Sequence, residues 1–63
     1  MNNNLLSFRE ESDLTQKDIA TKVGITTSHY GMIELGSRKP SLNTAYKLAK
    51  FFKKSIEEIF FAN

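Results

Sequence analysis

Apolar residues in this chain recur at spacings of three and four and never alternate over a run. That pattern predicts helices and no strands. It is sharpest from Leu14 to Leu35. Thr15 can cap a helix start, with Asp18 three residues on as a weak form of the capping box. Ile19, Ala20 and Val23 then make one helical stripe. Gly24 stands where a helix ends in a left-handed residue, a conformation only Gly adopts without steric cost. Thr26 or Thr27 can cap the next helix, whose inward positions are Tyr30 and Ile33. Two helices joined by three or four residues with a Gly in the turn describe a helix-turn-helix.

The flanking stretches extend the pattern. A first helix runs from about Asn4 to Ser12, with Leu5, Phe8 and Ser12 inward and Leu6 off the stripe. The tract Asn2-Asn3-Asn4 can fray or cap. Asp13 ends this helix, and Leu14 dips toward the core. Gly36 to Pro40 is a loop, because Pro40 bars Lys39 from helix. Ser41 then caps a fourth helix, Leu42 to Phe52, with Leu42, Ala45, Leu48, Ala49 and Phe52 inward. Ser55 and Glu58 form a capping box for a fifth helix, whose apolar face is Ile56, Ile59 and Phe60. The expected fold class is all-α: five short helices in one domain, residues 1–63, with the helix-turn-helix formed by the second and third.

Size sharpens this. A chain of 63 residues buries only ~60% of its unfolded surface and is marginal alone. It has no Cys and one His, so neither disulfides nor a zinc site can add stability. Helix packing and dimerisation remain. Phe51, Phe60 and Phe61 give the C-terminal end more aromatic surface than one small core can use, and they are the expected homodimer interface. The start, MNNNLLSFRE, is no signal peptide, and no apolar run approaches the ~20 residues of a membrane span. Cysteine-free composition fits a reducing cytoplasm.

Charge is uneven. Arg38 to Lys54 holds six cations and no acid, whereas Met1 to Ser37 holds three cations and five acids. Such asymmetry suits a polyanionic partner, and equally a solvated face. An enzyme is a weak reading: one His, no Cys and no carboxylate pair in a predicted cleft leave little to assemble a catalytic site. No cofactor, metal or small-molecule ligand is implied.

Leu14-Thr15-Gln16, Ile19-Ala20, Val23-Gly24 and Ile33-Glu34 together resemble the helix-turn-helix of the Cro/Xre family, the phage-repressor type. Gly36, Arg38, Pro40-Ser41-Leu42, Leu48-Ala49 and Ser55-Ile56-Glu57-Glu58-Ile59-Phe60 continue the match, which spans about Leu5 to Phe60. The resemblance implies a lambda-repressor-like fold and a sequence-specific DNA-binding regulator, a repressor. It would bind an inverted-repeat operator as a homodimer. Two departures stand out. Lys53-Lys54 replaces a common Gly–aliphatic pair, and Gly31, Met32 and Leu35 occupy positions that are usually polar.

On a helical wheel of about 100° per residue, Tyr30, Ile33 and Glu34 fall on the side that faces the domain. Ser28 and Met32 fall opposite, with Gly31 and Leu35 next to them. The second helix of a helix-turn-helix enters the major groove with its N-terminal residues on base edges. Thr27, Ser28 and Met32 are therefore the expected base contacts. The resemblance assigns Gln16 to a phosphate. Arg38 and Lys39 suit phosphates too, and Thr15 and His29 complete the expected set. The resemblance also implies a structural salt bridge between Arg9 and Glu34. A different function, a protein-binding adaptor on the same fold, would make use of Met32, Leu35 and the aromatic tail.

Overall fold

The computed structural model describes residues 3–61. They form α1 (Leu5–Ser12), α2 (Gln16–Val23), α3 (Thr27–Leu35), α4 (Leu42–Phe52) and α5 (Ile56–Phe60), and no strand occurs among them. Asn2 of the asparagine tract lies outside the described residues.

Local chemistry sets most boundaries. Thr15 and Asp18 complete a reciprocal capping box on α2, and Ser55 and Glu58 do the same on α5. Each box satisfies backbone donors that the first turn leaves unpaired. Thr26, not Thr27, caps α3: its hydroxyl accepts from the His29 amide at 3.0 Å. Gly24 and Gly36 end α2 and α3 with φ of 79° and 87°. Asp13 and Lys53 end α1 and α4 in the same left-handed region, each with φ of 57°, without being glycine. Lys53 thus takes the conformation for which a Gly is the easier residue.

Every helix feeds one core. Leu5, Ile19, Ala20, Val23, Tyr30, Ile33, Ala45, Leu48, Ala49, Ile59 and Phe60 are buried. Phe8, Leu14, Ile25, Phe51, Phe52 and Ile56 pack around them, partly exposed. Phe52 links two of these rings, with centroids 5.1 Å from Phe51 and 6.2 Å from Phe8. Lys54 covers the Phe8 ring with its ammonium 5.0 Å from the centroid.

Three expectations are revised. Leu42 is 81% exposed. It is the first residue of α4, and the inward positions behind it are Thr44 and Ala45. Thr44 can be buried because its hydroxyl accepts from Ser41 Oγ at 3.0 Å. Ser12 is exposed, and its hydroxyl donates back to the Phe8 carbonyl at 2.9 Å. Among the aromatic residues expected at an interface, Phe60 is buried in the core and Phe51 is half-buried. α5 ends at Phe60, and Phe61, its C-cap, stands beyond the packed face and is 66% exposed.

The N-terminal end is fastened to both α3 and α5. The Asn3 side chain donates to the Ile33 carbonyl at 2.9 Å and accepts from the Leu5 amide at 3.0 Å. Asn4 donates twice to α5: its amide to the Ile59 carbonyl and its side chain to the Glu58 carbonyl, both at 2.8 Å.

Candidate nucleic-acid interface

α3 has two faces. Tyr30 and Ile33 are fully buried. Thr27, Ser28, Met32 and Leu35 point outward, with Gly31 half-exposed between them and His29 half-buried at the border. Because Thr26 holds the cap, Thr27 presents its side chain on the first turn, next to Ser28.

The inner face is held by one carboxylate. Arg9 of α1 donates from Nε to Glu34 Oε2 at 2.7 Å and from Nη2 to Oε1 at 3.0 Å. Its remaining Nη1 donates to the Leu14 carbonyl at 3.0 Å, tying the α1–α2 turn into the same knot. Gln16, the first residue of α2, donates from Nε2 to Glu34 Oε1 at 3.1 Å. The Arg9 and Glu34 side chains are only 18% and 7% exposed. Burial pulls the Glu34 carboxyl up, but the hydrogen bonds from Arg9 and Gln16 more than offset it, so Glu34 sits below the usual carboxylate range. The same pairing holds the Arg9 guanidinium above its usual range. Beside them, burial pushes the Tyr30 phenol well above its ordinary value, and the Glu34 charge adds to this. The Tyr30 hydroxyl has no hydrogen-bond partner of good geometry among the described residues. Such a fork of charge-assisted bonds fixes the pitch and rotation of α3 relative to α1 and α2.

Gln16 also lies across α3. A Cβ built on Gly31 would sit 3.4 Å from Gln16 Oε1. The bare backbone of Gly31 therefore leaves a shallow hollow, walled by Leu6, Gln16, Glu34 and Leu35. Leu6 belongs to α1, so this neighbourhood joins α1 to the exposed side of α3. The off-stripe position of Leu6 was its only signal in the sequence. Nothing in the spacing announced the bonds from Asn3 to α3 or from Gln16 to Glu34.

The flanking candidates are placed as follows. Thr15 is exposed, but its hydroxyl accepts from the Asp18 amide at 3.1 Å as the cap of α2. The Thr15 amide donates in return to Asp18 at 2.9 Å, which lowers the Asp18 carboxyl below its usual range. Arg38 and Lys39 are exposed in the loop after α3, with no ion-pair partner among the described residues. These positions put cations next to the C-terminal end of α3 and a polar helix start beside its middle.

The sequence model of a helix-turn-helix family matches residues 5–59. The chain belongs to the Cro/C1-type helix-turn-helix family. This is a family of DNA-binding transcriptional regulators and not of enzymes. The regulator is 45% identical over 60 residues to an uncharacterised HTH-type transcriptional regulator of Methanocaldococcus jannaschii, covering 95% of this chain and 91% of that one. It is 37% identical over 60 residues to a second such regulator, from Archaeoglobus fulgidus, covering 95% and 84%. It is also 38% identical over 52 residues to the cryptic phage CTXphi transcriptional repressor RstR of Vibrio cholerae, covering 82% of this chain and 47% of that repressor. No helix of the described residues is long and apolar enough to cross a membrane.

Proposed function

We propose that this regulator is a sequence-specific repressor, acting in the cytoplasm, that binds an inverted-repeat operator as a homodimer. α3 enters the major groove. Thr27, Ser28 and Met32 face base edges, and Gln16, Arg38 and Lys39 lie on phosphates, with Thr15 and His29 at the margin. The observation that carries this reading is the contrast between the two faces of α3: the inner one pinned through Glu34 by two other helices, the outer one open. A rigid helix with one free face is what groove recognition needs. Gln16 reaches a phosphate by releasing Glu34, and the Arg9 fork keeps the carboxylate paired when it does. The name of the Vibrio relative supports repression over activation.

Dimerisation draws on the exposed apolar residues of α4 and of the C-cap of α5. Leu42, Tyr46 and Phe61 are exposed, and with Ile56 they surround two adjoining hollows. A patch of this kind on a small soluble domain suits a second copy. Phe61 is the member of the expected aromatic set that can reach it. A C2 dimer would place two α3 helices about one DNA turn apart, ~34 Å.

The test is a salt titration of duplex binding together with sedimentation. The expected result is a steep fall in affinity with salt, with the slope reduced by ~0.9 for each phosphate-bound cation removed at Arg38 or Lys39. Sedimentation should show a dimer on the operator, weakened by Leu42→Ala or Phe61→Ala. Duplex binding with no salt dependence would favour an adaptor role. A monomer at high concentration, unchanged by operator, would remove the dimer.

A further inference from the structure

The outward stripe of α3 lacks the side chains that usually read purines. Guanine is read by Arg or Lys, and adenine by Asn or Gln, through paired hydrogen bonds. Thr27, Ser28, Gly31, Met32 and Leu35 include no such residue. Gln16, beside this stripe, is bonded to Glu34 and in the proposed reading is taken by a phosphate rather than a base. What the stripe offers instead is apolar. Met32 is 38% exposed and Leu35 is 80% exposed. Ser28, Met32 and Leu35 fall at i, i+4 and i+7, one line on the helix surface. At 1.5 Å per residue that line is about 10 Å long, roughly three base-pair steps. Gly31 stands beside this line, one turn before Leu35, and where its side chain would be the Gln16 amide lies close, with Oε1 3.4 Å from the Cβ position. In the major groove the one apolar mark is the C5-methyl group of thymine.

We infer that α3 selects its operator through thymine methyl groups, received by Met32 and Leu35 on its outward face. This rests on α3 entering the major groove. Thr27 and Ser28, whose hydroxyls donate or accept, hydrogen-bond without strong base preference. Discrimination therefore falls to the two apolar side chains. Each half-site should carry thymines at fixed positions, and a cytosine there is rejected because it offers an exposed amino group and no methyl.

The experiment starts from duplexes selected from a random pool with the intact protein. Each thymine of the selected half-site is then replaced singly by deoxyuridine, which removes only the methyl. At one or more positions, binding should weaken about fourfold, the equivalent of roughly 0.8 kcal/mol for one buried methyl-sized group. The thymine–uracil difference should vanish at one such position in Met32→Ala and at another in Leu35→Ala. Both side chains are exposed, so both variants should melt like the parent. Uracil duplexes that bind like their parents at every position overturn the inference, as does a thymine–uracil difference that survives in the Met32→Ala/Leu35→Ala double variant. Either result with steep salt dependence leaves DNA binding standing. A protein that selects no duplex removes both the inference and the reading beneath it.

Discussion

Arg9 and Glu34 meet fork to fork, with both carboxylate oxygens of Glu34 gripped by the Arg9 guanidinium at 2.7 and 3.0 Å. Both side chains are largely out of water. Cutting Arg9 to Ala therefore leaves a buried carboxylate beside the buried Tyr30 hydroxyl, and should destabilise the domain by about 3 kcal/mol. In a double-mutant cycle, Arg9→Ala and Glu34→Ala together should cost less than their sum by more than about 1 kcal/mol. Simple additivity would show that the two residues do not act as a pair.

Acid should unfold the domain through the same carboxylate. Glu34 has its folded-state pKa lowered, as do the capping carboxylates Asp18 and Glu58. A lowered carboxyl pKa contributes stability above its unfolded value and loses it as pH falls through the folded one. The reference values are 4.5 for Glu34 and Glu58 and 3.8 for Asp18. Urea midpoints should therefore stay flat with respect to these groups above about pH 5 and fall steadily below it. Glu34→Gln should start less stable and fall less steeply. An acid limb of the same slope in that variant would assign the loss to other groups.

Gly31 should separate stability from DNA binding. The nearest atoms to a Cβ there belong to the flexible Gln16 side chain, the first at a contact distance of 3.4 Å. Ala is a better helix former than Gly by about 1 kcal/mol. Gly31→Ala should thus raise thermal stability while weakening operator binding several-fold, because its methyl holds α3 away from the groove floor. Equal or tighter operator binding by the more stable variant would mean that Gly31 is not at the groove.

Lys53 closes α4 with φ of 57°. The left-handed conformation costs a residue with a Cβ on the order of 1 kcal/mol. Lys53→Gly should therefore stabilise the domain by about 0.5–1 kcal/mol, part of the gain being lost to the greater freedom of Gly in the unfolded chain. Asp13, with the same φ of 57°, should gain less from the same change because Asp tolerates this region better. Denaturant melts of the two variants side by side decide the matter. A Lys53→Gly protein no more stable than the parent would contradict the assignment of strain.

The helices were legible because their signals are local. Thr15 with Asp18, Ser55 with Glu58, Gly24, Gly36 and Ser41 each act within one turn, so four residues of sequence suffice to read them. The two faces of α3 followed from helical spacing around Tyr30 and Ile33. What escaped depends on which distant element comes close. Nothing near Gln16 foretells that its amide will meet Glu34 on another helix. Thr44 replaces Leu42 in the interior because of where the edge of the domain falls, which periodicity cannot see. Phe60 and Phe61 are equivalent in hydrophobicity, and the one that closes α5 is buried while the one just past its end is not.

Asn4 joins the two ends of the described chain, through its amide to Ile59 and its side chain to Glu58. The backbone path therefore closes almost into a ring. In a ring neither end can peel away by itself: loosening α5 releases Asn4, and loosening Asn4 frees α1 and the last carbonyls of α5. The Asn4 amide, although it stands ahead of the first helix, should exchange its hydrogen for deuterium as slowly as amides in the middle of α4. A short linker between the ends, with new termini cut elsewhere, should leave the domain able to fold.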